Sequence, residues 1–152
     1  MANFWYRNSR LVQLTTGLNW SSADIRALLV MSDSTAGVDK SAQFLTGANG
    51  FTTLDEMNGA GYARVTAAGK AVALDVPNDQ VLVSFNPLNF GATIANGSRQ
   101  VAGIVVFLNV GSDATNVPLF WIDSVDAGPI FPYSPAGGQI RAAFANNVAL
   151  RV

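Results

Sequence analysis

Turn-forming residues divide this sequence into short segments, and their spacing is the feature that most restricts the fold. Glycine, asparagine and proline recur at intervals of about eight to twelve residues, which is typical of an all-β sandwich or barrel. Helical periodicity is scarce between them. The sequence therefore predicts an all-β fold: an antiparallel β-sandwich of jelly-roll-like type, with at most one or two short helical turns.

Two segments are strongly apolar. Residues 25–31 form a nearly continuous apolar run, as a strand covered on both faces would. A short helix capped by Ser21 or Ser22 is the alternative for this segment. The run 100–109 is the most apolar in the chain, and Gly103 interrupts it. A glycine inside a strand suggests a bulge or a close backbone approach.

Other segments carry only local motifs. Residues 4–16 suit either a helix or a strand. Thr53 lies three residues before Glu56, the spacing of a capping box, which predicts a single helical turn at residues 54–57. Turns rich in glycine and asparagine predict three hairpins, which join residues 62–66 with 71–75, 92–95 with 100–109, and 140–144 with 148–152.

The chain has the length of one domain. It contains 152 residues, and a single hydrophobic core fills at roughly 100–200 residues. We expect residues 1–152 to form a single β-sandwich domain with an N-terminal arm (about residues 1–17). A proline-rich loop (about residues 126–138) cannot join a central strand ladder, because proline donates no backbone hydrogen bond.

The chain carries few charges. Charged residues make up 12% of it and apolar residues 49%, whereas soluble domains typically have roughly 25% charged residues. This composition predicts surface buried between subunits, hence a homo-oligomer; the alternative is a monomer covered by uncharged polar residues. The nine basic residues are scattered, which argues against direct nucleic-acid contact. No run approaches the ~18 apolar residues of a membrane span.

The side chains of most catalytic sites are missing. The sequence has no histidine and no cysteine, which removes the commonest base for a nucleophile and all thiolate chemistry. The carboxylate pairs Asp55-Glu56 and Asp123/Asp126 fit structural positions better than a hydrolytic site, and we interpret Lys40 as a solvated surface residue. We therefore expect a non-enzymatic protein with no catalytic residues, no cofactor and no metal.

Two aromatic segments are candidate contact sites, because aromatic side chains dominate the energetics of interfaces. The alternative for each is that it fills the core of its own domain. The residues expected to contact a neighbour are Phe4, Trp5, Tyr6, Ile130, Phe131 and Tyr133.

Three stretches resemble a known family. Residues 18–30 (LNWSSADIRALLV), 59–62 (GAGY) and 69–72 (GKAV) are similar to small virion-associated proteins encoded near the head genes of tailed bacteriophages. The apolar runs 101–109 and 118–123 also fit that family's pattern, whereas the proline-rich loop and the aromatic start depart from it. The resemblance implies a capsid auxiliary protein of the decoration or cement type, or another virion component, with a β-sandwich fold.

The resulting hypothesis is a capsid decoration protein that stabilises contacts between major capsid subunits. It implies a place on the capsid surface of a virion assembled in the host cytoplasm. The expected partners are the major capsid protein and copies of the chain itself, without nucleic acid or membrane. A tail, baseplate or fibre-associated binding module is the alternative, and a small hydrolase that uses carboxylates is a third hypothesis.

Overall fold

The computed structural model describes residues 3–151, except for the side chains of Leu150 and Arg151. Within this part of the chain there is one α-helix, α1 (Arg7–Thr16), and there are 3-10 turns at Val76–Asn78 and Ala145–Asn147. The strands are β1 (Phe4–Trp5), β2 (Ile25–Met31), β3 (Val65–Thr66), β4 (Ala71–Asp75), β5 (Gln80–Ser84), β6 (Leu88–Ile94), β7 (Val101–Leu108), β8 (Val117–Ile122), β9 (Gly138–Ala142) and β10 (Val148–Arg151).

The strands form three sheets in which all pairings are antiparallel. The largest sheet has the order β1-β8-β7-β2-β3, and a second has the order β10-β5-β4. The third consists of β6 and β9. The predicted all-β, sandwich-like single domain is confirmed.

The five-stranded sheet is buried on both faces. Leu29 of β2 faces the main core, which it shares with residues of β5, β6 and β9. Leu28 faces the opposite side, where it belongs to a second core that includes residues from the segment 32–64. We call this segment, which connects β2 to β3, the covering loop. The prediction that residues 25–31 form a strand covered on both faces is confirmed, and the helical alternative is wrong.

The covering loop follows β2 closely although it has little regular structure. It buries Leu45 and Phe51 in the second core. The backbone N–H of Met57 donates a 2.9 Å hydrogen bond to the carbonyl oxygen of Leu29, so this end of the loop runs beside the strand. The predicted helical turn at residues 54–57 is wrong, because these residues satisfy their backbone groups along β2 instead of in a helix.

The N-terminal segment, which the sequence left open between helix and strand, contains both. β1 pairs with β8, and α1 follows it and lies against β8. At ten residues α1 is longer than the short turns expected. It ends at Gly17, whose φ of 63° is typical of the glycine that terminates a helix. Over residues 3–17 the predicted N-terminal arm is therefore docked on its own domain.

Gly103 in β7 shows both features expected of a glycine inside a strand. A Cβ atom at this position would lie 2.4 Å from the ring of Trp121, so only glycine lets the indole pack so close to the backbone. The register between β2 and β7 also shifts beside it, between Val30 and Met31, as it does at a β-bulge.

The three predicted hairpins are wrong, although the chain does turn at these places. β3 pairs with β2 while β4 pairs with β5; β6 pairs with β9 while β7 pairs with β2 and β8; and β9 and β10 belong to different sheets. Gly69, Asn146 and Asn147 have the expected positive φ angles. A turn motif fixes a local change of direction, whereas burial across the whole domain selects the partner strand. Val152, at the end of the third predicted hairpin, lies outside the described residues.

Candidate interaction surface

Tyr6 is held inside its own domain. It is fully buried, and its hydroxyl donates a 2.8 Å hydrogen bond to the carbonyl oxygen of Ala36 in the covering loop. Its ring centroid lies 5.2 Å from that of Phe4 and 5.4 Å from that of Phe51. Burial raises the pKa of Tyr6 well above its ordinary value, and the negative charge of Asp39 adds to this effect. A side chain without exposed surface cannot touch a neighbour, so Tyr6 belongs to the core rather than to the predicted contact site.

Phe4 and Trp5 are half-buried against the edge of the five-stranded sheet. Phe4 lies opposite Trp121 and Trp5 lies opposite Phe120, and the rings of the second pair have centroids 5.3 Å apart. The ammonium group of Lys40 lies 4.7 Å from the Phe4 ring centroid, within the range of a cation–π contact. Phe4 and Trp5 can touch a neighbouring molecule only through the parts of their side chains that remain exposed. Such a contact stays a prediction.

Of the contact residues predicted in the proline-rich loop, Ile130 is the most exposed. Its exposed fraction is 87%, whereas Phe131 and Tyr133 are half-buried against the main core. The backbone of Tyr133 exchanges hydrogen bonds of 2.7 and 2.8 Å with that of Val101. As expected, the loop forms isolated bridges but no ladder. Ile130 is therefore the accessible candidate here, and its contact role stays a prediction.

A further set of exposed apolar side chains lies on α1 and on the hairpin of β4 and β5. Their exposed fractions are 87% for Leu14, 52% for Val72, 69% for Leu74, 71% for Val76 and 36% for Val81. We call these five residues the hairpin patch. Contiguous exposed apolar surface is uncommon on monomeric soluble proteins and marks sites of contact.

A groove of about 510 Å³ separates α1 from this hairpin. Leu14 lines it from the helix, Val72 and Val81 line it from the hairpin, and Trp20 lines it from the segment before β2. Among the described residues, Arg10 is the only charged side chain in its lining. The hairpin patch thus continues into an apolar depression with a single cation.

The hairpin is shaped by its own turn. Pro77 restricts φ there, and Asp79 follows in the left-handed region with a φ of 51°. The carboxylate of Asp75 accepts hydrogen bonds of 2.8 Å from Asn78 and 2.9 Å from Gln80. Local bonds therefore define the hairpin, even though its outer strand has little cover.

The principal charged network fastens the covering loop. The guanidinium of Arg64 donates hydrogen bonds of 2.8 and 2.5 Å to Glu56 and two of 2.7 Å to Asp113, in the turn between β7 and β8. These bonds raise the pKa of Arg64 and lower that of Asp113, so both groups stay charged. Tyr62 donates a 2.8 Å hydrogen bond to Glu56, and burial raises the pKa of Tyr62. The network closes the loop over the sheet, which is a structural task.

The other carboxylates considered for chemistry also have structural contacts. Asp55 accepts hydrogen bonds from Arg99, which lower its pKa, and Asp126 accepts a 2.7 Å hydrogen bond from the N–H of Ala145. Within residues 3–151 no three acidic side chains are grouped as a metal site would require. No helix in the same range has the length and apolar character to cross a membrane.

The sequence carries no signal that separates the hairpin patch from a buried strand. Residues 71–74 and 81–83 are apolar at odd and even positions alike, which is the pattern that predicted a doubly covered strand at residues 25–31. At residues 71–74 the pattern is the same but the cover is missing.

Comparisons of the chain with protein-family models, with curated proteins and with solved structures found no match. The resemblance to virion-associated proteins therefore stays a prediction.

Proposed function

We propose that this chain is a non-enzymatic structural protein of a phage virion, most specifically a capsid decoration protein. The observation that supports this best is the hairpin patch, five exposed apolar side chains on a chain with only 12% charged residues. Such a surface favours assembly with other protein. The sequence resemblance to virion-associated proteins supports the capsid surface as the place of that assembly.

The mechanism is the burial of apolar area, repeated around a shell. The hairpin patch exposes on the order of 500 Å² if each of its side chains contributes about 100 Å². A standard interface buries about 800 Å² on each partner, so one contact through the patch alone is weak. Many copies on one shell turn weak contacts into a large stabilisation, because each engaged contact raises the effective concentration for the next.

The partners in this proposal are the major capsid protein and further copies of the chain. Ile130, exposed on the proline-rich loop, gives a second apolar point of contact outside the hairpin patch. The absence of histidine and cysteine from the sequence supports a non-enzymatic role, as do the structural contacts of Asp55, Glu56 and Asp126.

The direct test is the copy number of the chain in purified particles of the phage that encodes it. Quantitative mass spectrometry with isotope-labelled peptides measures the chain against the major capsid protein. A decoration protein is expected at a copy number comparable to that of the capsid subunit. A few copies per particle would instead favour a tail, baseplate or fibre-associated module, and absence from the particle would refute the proposal.

A binding test then examines the surface. Particles that lack the chain are mixed with purified Leu74→Asp or Val38→Asp protein, two exposed positions with almost equal exposed fractions, 69% and 70%. Val38 lies in the covering loop, outside the patch. An unpaired polar group buried in a contact costs about 1–3 kcal/mol and a carboxylate costs more, so Leu74→Asp should bind at least about tenfold more weakly than Val38→Asp or the wild type. Equal occupancy by both variants would exclude the hairpin patch as the assembly surface.

A further inference from the structure

Most strands at the edges of the three sheets have a feature that discourages pairing with another chain. β1 and β3 are two residues long. The pairing of β6 with β9 and that of β10 with β5 both contain register shifts. Short edge strands and irregular register are common ways of protecting an unpaired edge. Among the described strands, β4 is the one edge that remains.

β4 has neither form of protection. Its five residues pair with β5 in continuous register, and its second edge pairs with no other described strand. Ala71, Val72, Ala73 and Leu74 are all exposed, and the single charge of the strand, Asp75, stands at its end. The carboxylate of Asp75 is bonded within its own hairpin. An exposed apolar edge of this kind offers a row of backbone donors and acceptors to another strand.

We propose that β4 pairs with β4 of a second copy of this chain, antiparallel and about a two-fold axis at Ala73. The two three-stranded sheets then form one six-stranded sheet in the order β10-β5-β4-β4-β5-β10. Pairing about Ala73 places Ala71 opposite Asp75 of the second copy and uses all five strand residues without involving the turn. The inference rests on the proposed function, because it names the partner of the hairpin patch.

The sequence of β4 suits pairing with itself. Opposed residues of an antiparallel pair share one face of the sheet, so Val72 of each copy meets Leu74 of the other and the four side chains form an apolar cluster. Within each copy, Val72 and Leu74 lie opposite valines of β5 that line or border the groove, so the cluster extends the groove lining. Asp75 faces Ala71, and no like charges are directly opposed.

The form of the contact also favours a second copy as the occupant. A two-fold contact matches the same surface to itself on both subunits. The pairing buries the exposed backbone edge of β4 together with Val72 and Leu74, whereas the other members of the hairpin patch lie on α1, in the turn and on β5, away from that edge. Each β4 strand therefore covers the other.

The first test is the mass of the purified protein in solution, measured by sedimentation equilibrium over a range of concentrations. The wild type and Val38→Asp are expected to dimerise with the same dissociation constant. Leu74→Asp is expected to raise that constant at least about tenfold, since a carboxylate would face the apolar cluster. Circular dichroism shows whether each variant is folded. A wild type that remains monomeric at about 0.1 mM would overturn the proposal.

The second test fixes the register and does not depend on a disruptive variant. The chain has no cysteine, so Ala73→Cys introduces a single thiol at the two-fold axis. Directly opposed residues have Cα atoms about 4.5–5.5 Å apart, within the range of a disulfide. In the control, Ala71→Cys, the two thiols lie roughly 13 Å apart along the strands, which is too far. Mild oxidation should link Ala73→Cys into a covalent dimer and leave Ala71→Cys unlinked; equal linking of both would overturn the register.

Failure of this inference and failure of the proposed function can be told apart. A chain that is abundant in particles but monomeric in solution, and whose Leu74→Asp variant loses occupancy, would assign the β4 edge to a strand of the capsid protein. That result would overturn self-pairing and leave the virion function intact. A chain that dimerises through position 73 but is absent from particles would retain the pairing as a property of the protein and refute the virion role.

Discussion

β2 and β4 have the same kind of sequence and opposite surroundings. Both are apolar at odd and even positions, but β2 has a strand on each side and a layer over each face. β4 has one neighbouring strand, and its first four residues are exposed. The difference comes from outside the strands: the covering loop supplies the second layer over β2, and no described segment does this for β4. A two-sided apolar strand without such a layer is where cover from another molecule is to be expected.

The cover over β2 is itself held by a few specific bonds. The hydroxyl of Tyr6 binds the loop at Ala36, and Arg64 joins Glu56 in the loop to Asp113 beyond β7. These contacts connect parts of the chain that are distant in sequence. They explain why a segment with little regular structure can complete a core.

The largest effect on stability is expected from a substitution in β2, whose side chains are buried where those of β4 are exposed. Leu28→Ala removes a fully buried side chain from the core beneath the covering loop and should lower the free energy of unfolding by about 2–5 kcal/mol, because it loses apolar burial and leaves a cavity. Urea denaturation followed by tryptophan fluorescence measures this change. A loss below about 1 kcal/mol would mean that the loop does not pack on β2 as tightly as the structure shows.

The sequence predicted what depends on local pattern. Turn spacing indicated the all-β fold, the continuous apolar run at residues 25–31 indicated a doubly covered strand, and Gly103 indicated a bulge or a close approach. The three hairpins failed because a turn motif does not identify the partner strand. Gly69, for example, has the expected positive φ, but the strands before and after it, β3 and β4, belong to different sheets.

The candidate site was harder to predict for a related reason. The aromatic character of the N-terminal segment predicted that Tyr6 contacts a neighbouring molecule. Its hydrogen bond to the covering loop, which is distant in sequence, instead places it in the core. The exposure of Leu74 could not be deduced from its strand, because the same apolar pattern is buried in β2. Burial depends on which distant segment covers a strand, and short motifs do not carry that information.

A smaller effect on stability is expected when the hydrogen bonds of Arg64, which hold the covering loop in place, are removed. Arg64→Met should lower the free energy of unfolding by about 1–3 kcal/mol, since it leaves Glu56 and Asp113 partly buried without their cation. Arg26→Met is the matched control, because Arg26 pairs with Asp24 at the surface, where an ion pair contributes about 0–1 kcal/mol. Equal losses in the two variants, measured by urea denaturation, would remove any special role for the Arg64 network.

The same network should make stability depend on pH. Hydrogen bonds from Arg64 hold the pKa of Asp113 below its ordinary value of 3.8 in the folded protein, so the carboxylate stabilises the fold above that pH. This contribution is lost as the pH falls through the lower folded pKa. Urea denaturation between about pH 5 and pH 2.5 should therefore show a shallower decline for Asp113→Asn than for the wild type. In an Arg64→Met background the Asp113→Asn change should alter the decline much less, because the hydrogen bond from Asn116, 3.2 Å from Asp113, is then the bond that still lowers the pKa of this carboxylate. An undiminished difference would show that Arg64 is not the main cause.

The smallest effect on the isolated chain is expected at β4. Leu74→Ala removes a side chain with an exposed fraction of 69% and should change the free energy of unfolding by less than about 0.5 kcal/mol in a dilute, monomeric sample. At higher concentration the wild type should gain stability that Leu74→Ala lacks, because dimerisation stabilises only the folded state. Thermal denaturation at two concentrations a hundredfold apart separates these effects. A loss as large as that of Leu28→Ala in the dilute sample would show that β4 is already covered within the monomer, and the contrast between the two strands would no longer imply an external partner.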